Sequence, residues 1–283
     1  MASSEMTLAT ELVMFGPLPA AVLGVLVASA AYVIYLRNAM HCAPELRLRR
    51  KGLDRLLSGH ASEAEVLFRE ALALTDGADQ VRPMVCLVDS LMDQGRYQES
   101  KEFLLTALDL GDSSGSGQGT MADLLLLTGE DPNKAIEFSR QALELGAGRR
   151  NRDIYFGGDV AGTLRNAKCL ARTAHAFAQM GNETKAREAL GRATQMAADA
   201  QAEAEHTRPR NPMVVWLVIG DRRVANHRDL VFATLHWRIG LAYLSLGDRR
   251  RAVDHFQITQ RADRRGKYRR LAAKQLAELK SLN

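Results

Sequence analysis

The sequence predicts an all-α protein, with an apolar N-terminal helix, a solenoid of helical hairpins and a C-terminal capping helix. Three observations support this fold class. A turn pattern recurs at a spacing near 34 residues, which is typical of repeat proteins. Aromatic residues make up only 6% of the 283-residue chain, and the 22 glycines far outnumber the 7 prolines. The three cysteines lie far apart, which excludes a disulfide scaffold and a zinc ribbon.

Residues 15–36 form an apolar segment whose only polar side chains are Ser29, Tyr32 and Tyr35. A helix of about 20 residues crosses a bilayer core of about 30 Å, so the segment predicts a transmembrane helix after an N-terminal tail at 1–14. A buried core helix is the alternative interpretation. The tail carries no Lys or Arg, which argues against a cleaved signal peptide.

The flanks of this segment predict its orientation. Residues 37–44 form a basic juxtamembrane linker, and further Lys and Arg residues follow up to Arg55. Because positive charge favours the cytoplasmic side, we expect the N-terminus outside and residues 37–283 in the cytoplasm. Small residues recur every four positions in the span and would let another helix pack closely, which predicts association through the transmembrane helix. This stripe consists of Gly16, Ala20, Gly24 and Ala28.

The repeating pattern begins with a turn glycine. A small residue follows five positions later, a larger, mostly apolar residue four further on, and a small residue three beyond that. The glycine closes a tight helix–helix turn, the small residues let paired helices approach, and the larger residue fills the space between hairpins. The matches are Gly59-Ala64-Phe68-Ala71, Gly95-Ser100-Leu104-Ala107, Gly181-Ala186-Leu190-Ala193 and Gly247-Ala252-Phe256-Thr259, with Gly129-Ala135-Ser139-Ala142 one residue longer in the turn.

The last repeat also contains Ile239-Gly240-Leu241-Ala242-Tyr243, and Gly52 holds the same glycine position in the first repeat. On these residues the chain resembles the tetratricopeptide repeat (TPR) family over roughly residues 45–260. The resemblance implies an α-solenoid whose concave groove, formed by the first helix of each hairpin, binds a peptide segment of another protein. Mapped by repeat phase, the expected groove residues are Arg82, Val85, Asp89, Met92, Lys168, His175, Thr234, Trp237 and Leu241.

Some members of that family hold a C-terminal carboxylate with Asn and Lys. The corresponding positions here are Arg49, Leu53 and Cys86, so this clamp is not expected.

The repeats are irregular because the steps between turn glycines lengthen along the chain. Insertions are predicted near 111–119, a flexible Gly/Ser connector, and near 146–160 and 200–228. The apolar run 213–219 either packs against the solenoid or forms a contact surface for a partner. Residues 261–283 predict a basic capping helix with four apolar residues on one face. These are Leu271, Ala272, Leu276 and Leu279.

No pattern in the sequence points to catalysis. The letters Gly-x-Ser-x-Gly occur at Gly111–Gly115, but in a connector rather than a strand-to-helix turn. The seven histidines show no paired metal-ligand spacing, and no phosphate-binding loop is present. We therefore expect no enzyme, cofactor or metal. The net charge of +5 comes from 37–60 and 261–283, which argues against a nucleic-acid-binding surface.

Together these features predict a membrane-anchored scaffold or adaptor that binds other proteins through its groove. One alternative is a structural or assembly subunit of a larger membrane complex, docked to other membrane subunits through the transmembrane helix. A third hypothesis is an organelle import receptor.

Overall fold

The structure is a computed structural model, and it describes residues 22, 24–25, 27–32, 43–147, 160–206, 221–263 and 266–281. The chain divides into two compact units, residues 1–43 and 44–283, which are considered separately.

The second unit contains eleven α-helices among its described residues, and no strand is found there. This confirms the all-α prediction for that part of the chain. The helices are α1 (Pro44–Leu57), α2 (Ala61–Ala73), α3 (Val81–Asp93), α4 (Tyr97–Asp109), α5 (Ser116–Thr128), α6 (Pro132–Ala147), α7 (Val160–Gln179), α8 (Glu183–His206), α9 (Asp221–Ser245), α10 (Arg249–Ala262) and α11 (Lys267–Ser281).

The helices pair as five consecutive hairpins, from α1 with α2 to α9 with α10, and α11 packs on the last hairpin. The first helix of each hairpin also contacts the first helix of the next, in the order α1, α3, α5, α7, α9 and α11. Stacking of this kind between neighbouring repeats is typical of a solenoid. The first helices therefore share one side of it.

The glycine pattern is explained by backbone geometry. All five predicted turn glycines have positive φ angles, between 68° at Gly129 and 84° at Gly59. Side chains other than hydrogen are disfavoured in that region, so glycine allows the hairpins to turn tightly. Within the helices, a Cβ on Gly52 would lie 2.5 Å from Phe68 Cε1, and a Cβ on Gly240 would lie 2.5 Å from Phe256 Cε1. The two glycines make room for these rings.

The core lies between the hairpins and is built from the residues that the pattern singles out. Phe68, Leu104, Leu190 and Phe256 are fully buried. The small positions of the pattern are buried beside them, including Ala64, Ala107 and Ala186. The third repeat differs, because the larger position is Ser139, whose buried hydroxyl has no hydrogen-bond partner within the described part of the chain. The α5–α6 hairpin is therefore packed by other residues, with Leu124 and Leu125 buried on α5.

The prediction of a membrane-spanning protein is contradicted. Among the residues described here, none of the helices combines the length and the apolar character needed to cross a bilayer. This finding contradicts the predicted localisation. That prediction placed the N-terminus outside and the repeats on the cytoplasmic side of a membrane.

The predicted helix-packing stripe is only partly covered by the described residues. Gly16 and Ala20 lie outside them, while Gly24 and Ala28 are helical and exposed. A Cβ placed on Gly24 would meet no heavy atom within 4 Å. The structure therefore shows no packing against this position.

Two predicted insertions are partly helical. The Gly/Ser connector at 111–119 is not a flexible linker throughout, because α5 begins at Ser116. The carboxylate of Asp112 accepts hydrogen bonds from the backbone N–H of Ser114 at 2.8 Å and of Gly117 at 2.6 Å, which orders the start of α5. In the insertion at 200–228, α8 continues to His206 and α9 begins at Asp221, so long helices account for part of it. The apolar run 213–219 and most of 146–160 lie outside the described residues.

Candidate functional site

The first helices of the hairpins surround a cavity of about 510 Å³, which we call the central cavity. Residues from α3, α5, α7, α9 and α11 line it, together with the α1–α2 turn and the start of α4. Its wall is thus assembled from every repeat.

Five of the nine expected groove residues line the central cavity, namely Asp89, Met92, His175, Trp237 and Leu241. The other four lie elsewhere. Arg82 is exposed beside a second cavity of about 810 Å³, and Val85 is buried in the core. Lys168 is half-buried, and the half-buried Thr234 donates its hydroxyl hydrogen bond to the Leu230 carbonyl at 2.8 Å.

An ion cluster that the sequence analysis did not anticipate crosses the cavity wall. The Asp123 carboxylate on α5 lies between two guanidinium groups, Arg172 on α7 and Arg238 on α9. Arg172 donates from Nε to Oδ1 at 2.8 Å and from Nη2 to Oδ2 at 2.9 Å. Arg238 donates from Nε to Oδ1 at 3.0 Å and also from Nη2 to Oδ2. One carboxylate therefore links the first helices of three successive repeats.

This cluster is well shielded, since the side chains of Arg172, Asp123 and Arg238 are 12%, 19% and 19% exposed. Burial alone would raise the pKa of Asp123, but the charges and hydrogen bonds of the two arginines outweigh it and hold that pKa well below its usual range. Gly119 on α5 leaves room for the cluster, because a Cβ there would lie 3.0 Å from Arg172 Nη2. Asp123 is accordingly ionised at neutral pH.

A second charged group lies on α3 and α11. Lys267 Nζ is 2.5 Å from Asp93 Oδ1, and the side chains are 16% and 20% exposed. Asp89, one helical turn before Asp93, also lines the cavity, but no residue in the described ranges donates a hydrogen bond to it. Burial raises the pKa of Asp89 to about 6, despite the opposing charges of Lys267 and Arg238. Of the three aspartates that line the cavity, Asp123 and Asp93 are ion-paired, whereas Asp89 is poorly paired.

The positions of these residues relative to the turn glycines could have identified them from the sequence. Asp89 and Asp123 each stand six residues before a turn glycine, Gly95 and Gly129. Arg172 and Arg238 each stand nine residues before one, Gly181 and Gly247. Had the groove positions been assigned in the third repeat by the same distance from the turn glycine, Asp123 would have been placed beside Asp89 in the groove. The involvement of Lys267 has no such signal, because α11 has no turn glycine after it.

The last helix reaches back to the first hairpin. Arg270 donates from Nη2 to the Leu57 carbonyl at 3.5 Å, and its guanidinium packs against Gly59. The start of α11 is held by Asp263, which accepts from the backbone N–H of Gly266 and of Tyr268, both at 2.9 Å. As predicted for a cap, Ala272 and Leu279 are buried against the last hairpins. Its basic face, however, turns partly toward the central cavity, where Lys267, Arg270 and Lys274 lie.

Three further titratable groups of the described helices, His236, His255 and Cys86, lie outside the central cavity. His236 and His255 share a hydrogen bond between their Nδ1 atoms at 2.9 Å, and burial lowers the pKa of both to about 4. Burial raises the pKa of Cys86 to about 12, which keeps the thiol protonated. Within the ranges that the structure describes, no group of three or more His, Cys, Asp or Glu side chains is placed to hold a metal ion.

Comparison with known proteins gives a limited result. No family model matches the chain, and no curated protein matches it. Among solved structures, the chain is similar to the crystal structure of the nearly identical TPR-like repeats of a putative kinesin light chain from Podosopora anserina. The identity is 17%, the TM-score is 0.41, and the match covers 80% of this chain and 95% of that one.

A single-substitution variant of the same repeats matches with 17% identity, a TM-score of 0.42 and the same coverage. The repeat architecture of this chain follows from its own helix order and turn geometry.

Proposed function

We propose that the protein is a scaffold or adaptor whose central cavity binds a segment of a partner protein. The observation that carries this proposal is the convergence of four first helices (α3, α5, α7 and α9), the α1–α2 turn and α11 on one cavity with apolar and charged sides. Repeat solenoids use such concave surfaces for binding. The role is therefore binding of a protein segment rather than catalysis.

The wall has the composition that a binding surface needs. Met92, Trp237 and Leu241 provide apolar contact area, and the indole of Trp237 rests on Phe256 with 5.1 Å between ring centroids. Leu127 is 51% exposed where it lines the cavity. Trp and Tyr side chains are frequent energetic centres of protein interfaces because they bury large area at low entropy cost. Tyr97, also exposed, lies at the edge of the same cavity.

A crosslinking experiment tests this proposal in the full chain. A photoreactive phenylalanine derivative replaces Tyr97 at the cavity, and in a control protein it replaces Val66, which is exposed on α2 and does not line the cavity. We expect a defined protein to be crosslinked from position 97 and not from position 66. Equal crosslinking from both positions would contradict the proposal.

Matched substitutions show whether the cavity itself is responsible. Leu127→Ser and Leu105→Ser both replace a leucine that is about half exposed, but only Leu127 lines the cavity. Exposed substitutions of this kind change stability little. Leu127→Ser and Trp237→Ala should reduce crosslinking from position 97, while Leu105→Ser should not. If all three variants behave alike, the partner does not bind in the cavity.

A further inference from the structure

We propose that the central cavity selects acidic segments of partner proteins, and that Arg270 and Lys274 on α11 receive the acidic side chains. The inference rests on the proposed function and names the chemistry of its partner. It also gives α11 a binding role in addition to its role as a cap.

The first support is the charge of the cavity wall. Among the described residues, five Lys or Arg side chains line the cavity, against three Asp and no Glu. The histidine of the lining, His175, adds no charge at neutral pH, because burial lowers its pKa to about 4. Positive side chains therefore outnumber negative ones on this wall. An acidic partner has the complementary charge, which favours encounter and excludes basic competitors.

The second support is the place where the excess charge lies. In the interior of the cavity, three cations lie among the three aspartates, so the charges there are balanced. These six residues are Arg172, Arg238, Lys267, Asp89, Asp93 and Asp123. The other two cations, Arg270 and Lys274, are exposed and stand four positions apart on α11. Residues at that spacing share one face of a helix, so the excess positive charge is concentrated on one face of α11 at the edge of the cavity.

The third support is that neither of these two cations is neutralised within the described part of the chain. Arg270 Nη2 donates to the Leu57 carbonyl at 3.5 Å, which is a long hydrogen bond to an uncharged group. Lys274 Nζ lies 4.0 Å from Glu278 Oε1, and the lysine side chain is 74% exposed. An exposed ion pair at such a distance contributes little. Both cations are therefore available to a carboxylate from another protein.

The fourth support is that the Arg270 guanidinium is held in place before a partner arrives. It packs on the backbone of Gly59, where a Cβ would lie 2.1 Å from Nη2. A guanidinium offers several N–H groups in a planar fork and can bind a carboxylate through two of them. Because its position is already fixed, less side-chain entropy is lost when it binds.

The neighbouring surface indicates what accompanies the acidic side chains. Leu127, Trp237 and Leu271 line the same cavity and offer apolar contact area. The expected partner segment therefore carries apolar residues next to its carboxylates. The two cations border a concave cavity of about 510 Å³, which favours a chain segment that enters it over a flat lipid surface.

The test uses three short synthetic peptides of alanine and leucine, identical except that they carry glutamate, glutamine or lysine at the same positions. Each carries a fluorophore, and its binding to the full chain is followed by anisotropy. We expect the glutamate peptide to bind at least about tenfold more tightly than the lysine peptide, a difference of about 1.4 kcal/mol. Binding should weaken as salt is raised, because part of the attraction is electrostatic.

Substitutions on α11 show whether this face is responsible. Arg270→Gln and Lys274→Gln should each weaken the glutamate peptide about threefold, as expected for the loss of one exposed ion pair. The double variant should weaken it about tenfold. Lys280→Gln makes the same chemical change at an exposed position of α11 that does not line the cavity, so it is the control and should leave binding unchanged. Circular dichroism confirms that each variant is folded.

The outcomes separate this inference from the proposed function. If the lysine peptide binds best and Trp237→Ala weakens it, the cavity binds peptides but the acidic preference is wrong. If Lys280→Gln weakens the glutamate peptide as much as Arg270→Gln does, binding follows net charge rather than this face, and the inference fails.

Two other results would also overturn the inference. In the first, vesicles containing phosphatidylserine bind the wild-type chain but not the double variant, while the glutamate peptide does not bind, so the face contacts lipid. In the second, none of the three peptides binds, and crosslinking from position 97 then decides the proposed function by itself.

Discussion

Replacing Asp89 by asparagine should stabilise the protein at neutral pH. The substitution keeps the shape of the side chain but removes a charge that burial disfavours. The pKa of Asp89 rises from 3.8 to about 6 in the folded chain. At 1.36 kcal/mol for each pKa unit, the ionised carboxylate costs about 3 kcal/mol. The asparagine amide remains buried without a strong partner, so we expect a gain of about 1–3 kcal/mol in the free energy of unfolding.

The effect of Asp89 on the free energy of unfolding depends on pH. Because the folded pKa lies above the unfolded one, folding favours the protonated form of Asp89. Its contribution to stability is therefore fully present below pH 3.8 and is lost as pH rises through about 6. The groups that set this pKa are Asp93 on the same helix, Asp123 on α5, Arg238 on α9 and Lys267 on α11.

Urea unfolding of both proteins between pH 4 and pH 8 measures the effect. The difference between Asp89→Asn and wild type should be largest above pH 6 and should shrink toward pH 4. Asp123→Asn is the matched comparison, because it changes the equivalent residue of the next repeat. It should destabilise by about 3–5 kcal/mol, since it leaves Arg172 and Arg238 without their shared carboxylate. If the two variants shift stability in the same direction, the assignment of Asp89 as poorly paired is refuted.

Two further predictions concern glycines within helices and a pair of buried histidines. Gly240→Ala should destabilise by about 1–3 kcal/mol because its Cβ would lie 2.5 Å from Phe256 Cε1. Gly191→Ala, on an exposed face of α8 with no atom within 4 Å, should instead stabilise by about 0.5–1 kcal/mol, and thermal unfolding of both variants tests the pair. In proton NMR, the imidazoles of His236 and His255 should stay neutral from pH 8 down to pH 5, because burial lowers their pKa values to about 4. Titration of either ring near pH 6.5 would disagree with the buried hydrogen bond between them.

Sequence reasoning was strongest where the physical cause is local. A turn glycine such as Gly95 can be recognised because only a positive φ angle closes the hairpin, and its partners follow at helical spacing. The pairing of Gly52 with the ring of Phe68 follows from the same repeat register. Local reasoning was weakest at the N-terminal segment 15–36, where apolar character predicted a membrane span that the described helices do not support. It also assigned 111–119 to a flexible connector because Gly and Ser are common there, although Asp112 caps a helix within it.

The sequence by itself determined the helical hairpins and their turns, since each depends on spacings of a few residues. Only the tertiary structure decided which charges on that face meet. Asp123 and Arg238 are 115 residues apart, and Arg270 and Leu57 are 213 apart. Small rotations between successive hairpins accumulate along a solenoid, so the curvature of the whole array brings such residues together. Asp123 thereby meets two arginines, whereas its equivalent Asp89 is poorly paired.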